Sequence, residues 1–236
     1  MLLILFAKLA VHLYAGRRYG FFVDELYYLA CSHHLDWGYV DQPPLIAAIA
    51  WLVRELLGQS LPAIRLLPAL AGIGEIALTV LIARELGARR FGQSLAALCV
   101  LAAPDILASD NLFTMNAFEP LFWMGCAWLL IRIIKTGNGR LWIWFGIVAG
   151  LGLENKHSML IFGAGVVVGL LLTQQRRWLA SRWLLAPPSP CWFSCLTCCG
   201  ISGIISRFWN CRPTSGAAGG IQRSVRSRSS FRKPSP

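Results

Sequence analysis

Asp24 and Glu25 stand side by side in the stretch 21–45, FFVDELYYLACSHHLDWGYVDQPPL. A carboxylate of such a pair can act as a general base, its neighbour orienting it or helping to hold a cation. The same pair also suits the first turn of a helix, where negative charge meets the positive end of the dipole. Tyr27, Tyr28, Trp37 and Tyr39 follow. Their rings suit contact with a sugar or a prenyl chain, and equally the aromatic belt of a membrane interface. His33, His34 and Asp36 are of metal-ligating type. Adjacent histidines point in different directions on a helix, so at most one serves, and His34 is the candidate. Asp41-Gln42-Pro43-Pro44 is a rigid turn, because proline fixes φ and forces the preceding residue to be extended. It either aims Asp41 at a site or starts the next helix.

Further along, single polar groups interrupt apolar runs: Glu75, Glu119 before Pro120, and the knot Glu154, Asn155, Lys156, His157. Intramembrane carboxylates are functional by default. Glu119 lies toward the same end as the first loop, whereas Glu75 is mid-span and can simply pair with another helix. The run 141–156 rises about 24 Å against a hydrocarbon core of about 30 Å, which puts the knot near headgroup depth. Lys156 at that depth calls for an anion, such as a lipid-linked phosphate.

The frame that must hold these residues is apolar. The 236 residues are 56% hydrophobic and 14% charged, with mean hydropathy +0.56; a soluble domain is nearer about a quarter charged. An all-α, multi-span integral membrane bundle is expected, with spans near 1–15, 66–83, 91–109, 112–134, 141–156 and 158–173. An outer loop, 16–63, carries amphipathic helices, among them IAAIAWLVRELLGQS. The first run is short for a span, so either it continues through Gly20-Phe21-Phe22 or residues upstream of it are missing, and the second is the expectation. The turns after the second, fourth and sixth spans carry Arg84, Arg89 and Arg90, then Arg132, Lys135 and Arg140, then Arg176, Arg177 and Arg182. The positive-inside rule makes these cytoplasmic, and parity then places the loop, Asp110-Asn111 and the Lys156 knot together outside.

The net charge of +11 does not indicate nucleic acid. Residues 187–236 hold seven of the 22 Lys/Arg, none of the 11 Asp/Glu and five of the eight cysteines, so the excess is that of a disordered basic tail. Cys99 and Cys126 sit in apolar runs as small hydrophobes, and CLTCC lacks a second ligand pair at zinc-finger distance. The genetic code supports a sharper account of the tail. Read one base earlier, its degenerate codons permit an apolar span followed by LPNLLWNIRHHFPF, and Phe208-Trp209-Asn210-Cys211 can shift only to Leu-Glu-Leu. A single-base frameshift near codon 186 is the expectation.

The loop, then MNAFEPLFW, then GLGLENKHSM, together with the shifted LPNLLWNIRHHFPF, resemble the bacterial members of the dolichyl-phosphate-mannose protein mannosyltransferase-like family, which are GT-C integral membrane glycosyltransferases related to the lipid A aminoarabinose transferases. The resemblance runs over about 10–180, so that 1–186 reads as the N-terminal part of such an enzyme. It implies a polyprenyl-phosphate-linked sugar donor, an unidentified acceptor and inverting transfer on the periplasmic face of a bacterial inner membrane. It also implies Asp24 as general base beside Glu25, and Asp41 near a divalent metal or the donor phosphate, a metal being the one cofactor allowed for. Gln42, Tyr27, Tyr28, Glu119 and His157 join the substrate side, and Lys156 meets the carrier phosphate. Gln42 departs from the lysine that many relatives carry there. Two rivals stay open: a non-catalytic carrier of lipid-linked sugars, and an inactive fragment of the enzyme.

Overall fold

The computed structural model describes residues 2–39 and 41–178, and these are helical, with no strand among them. The order is α1 (Leu2–Ala15), α2 (Val23–Cys31), α3 (Leu45–Leu57), α4 (Leu61–Glu85), α5 (Arg90–Ala102), α6 (Pro104–Ser109), α7 (Met115–Thr136), α8 (Leu141–Asn155) and α9 (Met159–Leu172), then a 3-10 turn, Gln174–Trp178. Residues 187–236, expected as a frameshifted tail, lie outside the described residues.

Local chemistry sets the boundaries. The Ser60 side chain accepts from the Ala63 amide and caps α4, and Pro62 sits in the first turn, where its missing N–H costs nothing. Gly137 closes α7 in the left-handed conformation at φ 67°, which a side chain would resist. Pro104 holds Ala103 extended and splits the run expected as one span, 91–109, into α5 and α6. Pro68 and Pro120 are carried inside α4 and α7 without ending them.

α4 and α7 are the axis of the bundle. Only these two helices are both long and apolar enough to cross a membrane among the described residues, while α1, α5, α8 and α9 are shorter apolar helices. α4 and α7 run in the same direction, since Glu85 at the end of α4 pairs with Arg132 and Lys135 near the end of α7. α5 and α6 return the chain between them. α8 runs back along α7, with Asn155 at its end bonded to Met115 at the start of α7.

Two apolar cores follow. One joins α2, α3, α4 and the start of α7 through Tyr28, Ile46, Val53, Ile64, Phe113 and Phe118, with Phe113 edge-on to both Tyr28 and Phe118. The other joins α7, α8 and α9 through Cys126, Ile133, Trp142, Phe145 and Leu153. Leu160, Ile161, Val167, Val168, Leu171 and Leu172 of α9 stay exposed. An apolar face of that kind suits lipid better than water.

Candidate functional site

The loop between α1 and α4 is anchored at its base by one ion pair. Glu25 is 0% exposed and Arg65 is 4% exposed. The guanidinium donates Nε and Nη2 to the two Glu25 oxygens at 2.8 Å each, a bidentate fork. It also donates to the carbonyls of Gly16, Tyr19 and Gly20. Glu25 in turn accepts from the amides of Phe22 at 2.9 Å and Phe113 at 3.0 Å. Burial alone would raise the Glu25 pKa; the hydrogen bonds from Arg65 and the two amides, with the Arg65 charge, outweigh it and lower the pKa. Glu25 was expected beside the catalytic base. Its oxygens are instead committed to holding α2 on α4 and α7, because a buried carboxylate persists only where it is paired. Arg65 was not singled out from the sequence, where it reads as a stray charge at the edge of an apolar run.

That anchor leaves the carboxylate of Asp24, one position earlier on α2, half-buried and without a hydrogen bond to any described residue. Tyr27 and Tyr28 follow one turn later. The Tyr27 hydroxyl donates to Asp41 Oδ1 at 2.7 Å, and burial together with that carboxylate raises its pKa. Burial, with Asp24 and Asp41 both facing it, pushes Tyr28 up to about 12. Both phenols therefore stay protonated donors at neutral pH. Tyr39 folds the loop back by donating its hydroxyl to the carbonyls of Cys31 and His34.

Gln42, expected to face a substrate, is 2% exposed. Its side-chain Nε2 donates to Cys31 Sγ, and its main-chain carbonyl accepts from the Tyr39 amide. The Pro43-Pro44 turn tucks the side chain under the loop. His34 is exposed, and Asp41 is taken up by Tyr27. Among the described residues no group of three or more His, Cys, Asp or Glu is placed to hold a metal ion. Asp41 and His34 therefore do not belong to a ready-made protein metal centre among the described residues.

Lys156 finds its anion inside the chain. Its ammonium lies 2.7 Å from Glu119 Oε2 and 2.8 Å from Asn116 Oδ1, and Ser158 donates to the other Glu119 oxygen. The Lys156 side chain remains 36% exposed, so the ammonium is still open to a ligand, and His157 beside it is exposed. Phe113 just before α7, and Met115, Asn116 and Glu119 at its start, link this cluster to the Glu25 anchor. The α1–α4 loop and the Lys156 cluster therefore share one end of the bundle. The opposite end carries Glu85 with Arg132 and Lys135, and the arginines Arg84, Arg89, Arg90 and Arg140.

A second buried pair lies deeper. Lys8 of α1 meets Asp110 at 2.6 Å, with both side chains essentially unexposed, and Glu75 is fully buried nearby. Gly72 makes this approach possible, since a Cβ there would stand 2.2 Å from Asp110 Oδ2 and 2.7 Å from Lys8 Cε. Lys8 lies in the most apolar part of the N-terminus, and only the depth of the pairing reveals it.

Comparisons with known proteins agree with this architecture. Lipid A galacturonosyltransferase RgtD of Rhizobium johnstonii is 29% identical over 160 residues, which are 66% of this chain and 33% of that protein. The chain thus spans about a third of that relative's length. No solved structure shows a significant match. The dolichyl-phosphate-mannose-protein mannosyltransferase family matches residues 41–191. That stretch holds Asp41, Glu119 and Lys156, and Asp24 and Glu25 precede it. Most of this all-helical membrane protein is covered by that match, and the chain belongs to the dolichyl-phosphate-mannose-protein mannosyltransferase family.

Proposed function

We propose that the chain is the donor-side part of a glycosyltransferase. It would move a sugar from a polyprenyl-phosphate carrier to an acceptor hydroxyl at the periplasmic face of a bacterial inner membrane. The observation that carries the reading is the gathering of Asp24, Asp41 and the Glu119–Lys156 cluster at one end of the bundle, opposite the basic end. The arginine-rich end belongs to the cytoplasm by the positive-inside rule, so the site end faces out. Family membership and the likeness to a lipid A galacturonosyltransferase support sugar transfer as the chemistry.

Each residue then has one task. The Asp24 carboxylate, unlike that of Glu25, is open to accept the proton of the acceptor hydroxyl. The acceptor oxygen forms its bond to the anomeric carbon from the face opposite the phosphate. The bond from that carbon to the phosphate oxygen breaks, and polyprenyl phosphate leaves with the electron pair. One displacement inverts the anomeric configuration. Lys156, released from Glu119, places positive charge against the phosphate as negative charge grows on it. Tyr27 keeps Asp41 and the turn behind it in place.

The test is reconstitution of the full chain in liposomes with a polyprenyl-phosphate hexose, following release of polyprenyl phosphate. Asp24→Asn is expected to lower release by about two orders of magnitude or more, the scale of a lost general base. Membrane insertion should be unchanged. Release at the parent rate from Asp24→Asn overturns the assignment of the base. Absence of release from the parent chain, with donor bound, means this chain carries the donor site without the transfer activity.

A further inference from the structure

The basic end of the bundle carries a groove that the proposed transfer does not use. It lies between the last turns of α7 and the first turns of α8 and has a volume of about 390 Å³. Trp128, Leu129 and Arg132 line it from α7, and Leu141, Trp144 and Val148 line it from α8. The two helices run in opposite directions, so the lining is ordered by depth. Arg132, Leu141 and Trp144 stand at the mouth, toward the basic end, and Trp128 and Val148 lie further in. From Leu141 to Val148 the groove follows α8 for about 10 Å, at about 1.5 Å per residue. It closes there, because a Cβ on Gly125 of α7 would stand 3.2 Å from Val148 Cγ1.

The mouth has donors to spare. The Arg132 guanidinium lies 5.9 Å from the centroid of the Trp128 ring, within cation–π range. It gives Nη1 to Glu85 at 3.0 Å, which leaves Nε and Nη2 without a partner among the described residues. Its side chain is 43% exposed. Trp144 is 60% exposed. Glu85 is taken up by Arg132 and Lys135. Arg140, next to Leu141, is exposed and has no acidic partner among the described residues. Positive charge is therefore in excess at the mouth, above an apolar wall.

Four kinds of occupant can be compared on this lining. A bare hydrocarbon tail covers the wall and leaves the charge unanswered. A soluble anion answers the charge and leaves the wall bare. A zwitterionic lipid brings an ammonium toward arginines, and like charges brought together are unfavourable. An anionic glycerophospholipid satisfies both surfaces. Its phosphate accepts charge-assisted hydrogen bonds from the guanidinium. One acyl chain packs along the wall, and the Trp144 indole sits at headgroup level with an N–H for an ester carbonyl.

We infer that the α7–α8 groove binds one anionic glycerophospholipid of the phosphatidylglycerol type, with its phosphate at Arg132 and Arg140 and an acyl chain running toward Val148. On the orientation proposed above, this lipid belongs to the cytoplasmic leaflet, where basic pockets between helices hold anionic headgroups. The inference stands whether or not the chain transfers sugar.

The experiment takes the full chain from bilayers of equal phosphatidylglycerol and phosphatidylcholine into mild detergent. Lipid retained per chain is counted by native mass spectrometry. One retained phosphatidylglycerol is expected, enriched about tenfold over phosphatidylcholine. Arg132→Gln should lower its retention about fivefold, the scale of one basic residue at an anionic lipid; Lys135 still holds Glu85 in that variant. Arg140→Gln should act in the same direction. Leu141→Trp, which fills the mouth without changing charge, should release the lipid too. Should Arg132→Gln unfold the chain, the Arg140 and Leu141 variants carry the same test. Arg84→Gln combined with Arg89→Gln removes charge at the same end outside the groove and should leave retention unchanged. Equal retention of the two lipids overturns the inference and shows a groove for tails alone. An equal loss in the Arg84 and Arg89 variant overturns it as well, since diffuse surface charge would then hold the lipid. So does preferential retention of polyprenyl phosphate when both anionic lipids are offered together.

Discussion

Asp24 and Glu25 are neighbours with the same kind of side chain, and their environments separate them. Glu25 is sealed against Arg65 and two amides, while Asp24 has no described hydrogen-bond partner. Linkage makes this measurable. The Glu25 pKa is lowered below 4.5 in the folded chain. Its stabilisation is therefore complete above the ordinary carboxylate range and is lost as pH falls through the lower, folded value. The melting temperature of the detergent-solubilised chain is expected to hold steady between about pH 7 and pH 5 and to fall below about pH 4. Glu25→Gln should be less stable at neutral pH and should flatten the acid limb. An acid limb unchanged in Glu25→Gln would show that other carboxylates set it.

At the scale of elements, two charged contacts fasten α4 to what surrounds it. Arg65 near its start holds α2 and the loop ahead of it, and Gly72 two turns on admits the Lys8–Asp110 pair from α1 and the α6–α7 turn. Removing one partner of a buried pair leaves the other charge unpaired, at a cost of about 3–5 kcal/mol. Arg65→Ala is expected to lose stability on that scale in thermal unfolding, and Arg65→Lys to recover only part, since an ammonium cannot make the two-pronged contact. Gly72→Ala should cost about 1–3 kcal/mol, because the added methyl must displace Asp110 or Lys8 in a packed interior. A neutral Gly72→Ala would mean that α1 shifts freely along α4.

Across the whole molecule, charge divides the bundle into an end with the acidic, aromatic loop and an end with clustered arginine and lysine. On the function proposed above, this polarity would orient the protein in a membrane. A cysteine introduced at exposed His33 is expected to react with a membrane-impermeant maleimide added outside intact cells. One at exposed Asn138, between α7 and α8, should react only after permeabilisation, each read against the parent chain. Labelling of both from the same side would contradict the shared orientation of α4 and α7 within a bilayer.

Much of the helical fold was legible in the chain, because long apolar runs can satisfy their backbone groups in lipid only by coiling. Pro104 and Gly137 even mark breaks that follow from backbone geometry alone. The chain also showed which loop was unusual, since Asp24, Asp41 and Lys156 are types that an apolar frame does not require. What it did not contain was pairing. Glu25 meets Arg65 40 residues on, Lys156 meets Glu119 37 residues back, and Lys8 meets Asp110 across most of the bundle. Residue type and spacing along one helix say which face a side chain occupies, but a partner on another helix depends on how the helices cross and how closely a residue such as Gly72 lets them approach. Tertiary packing therefore decided that Glu25 is an anchor, that Gln42 is turned inward, and that Asp24 is left open.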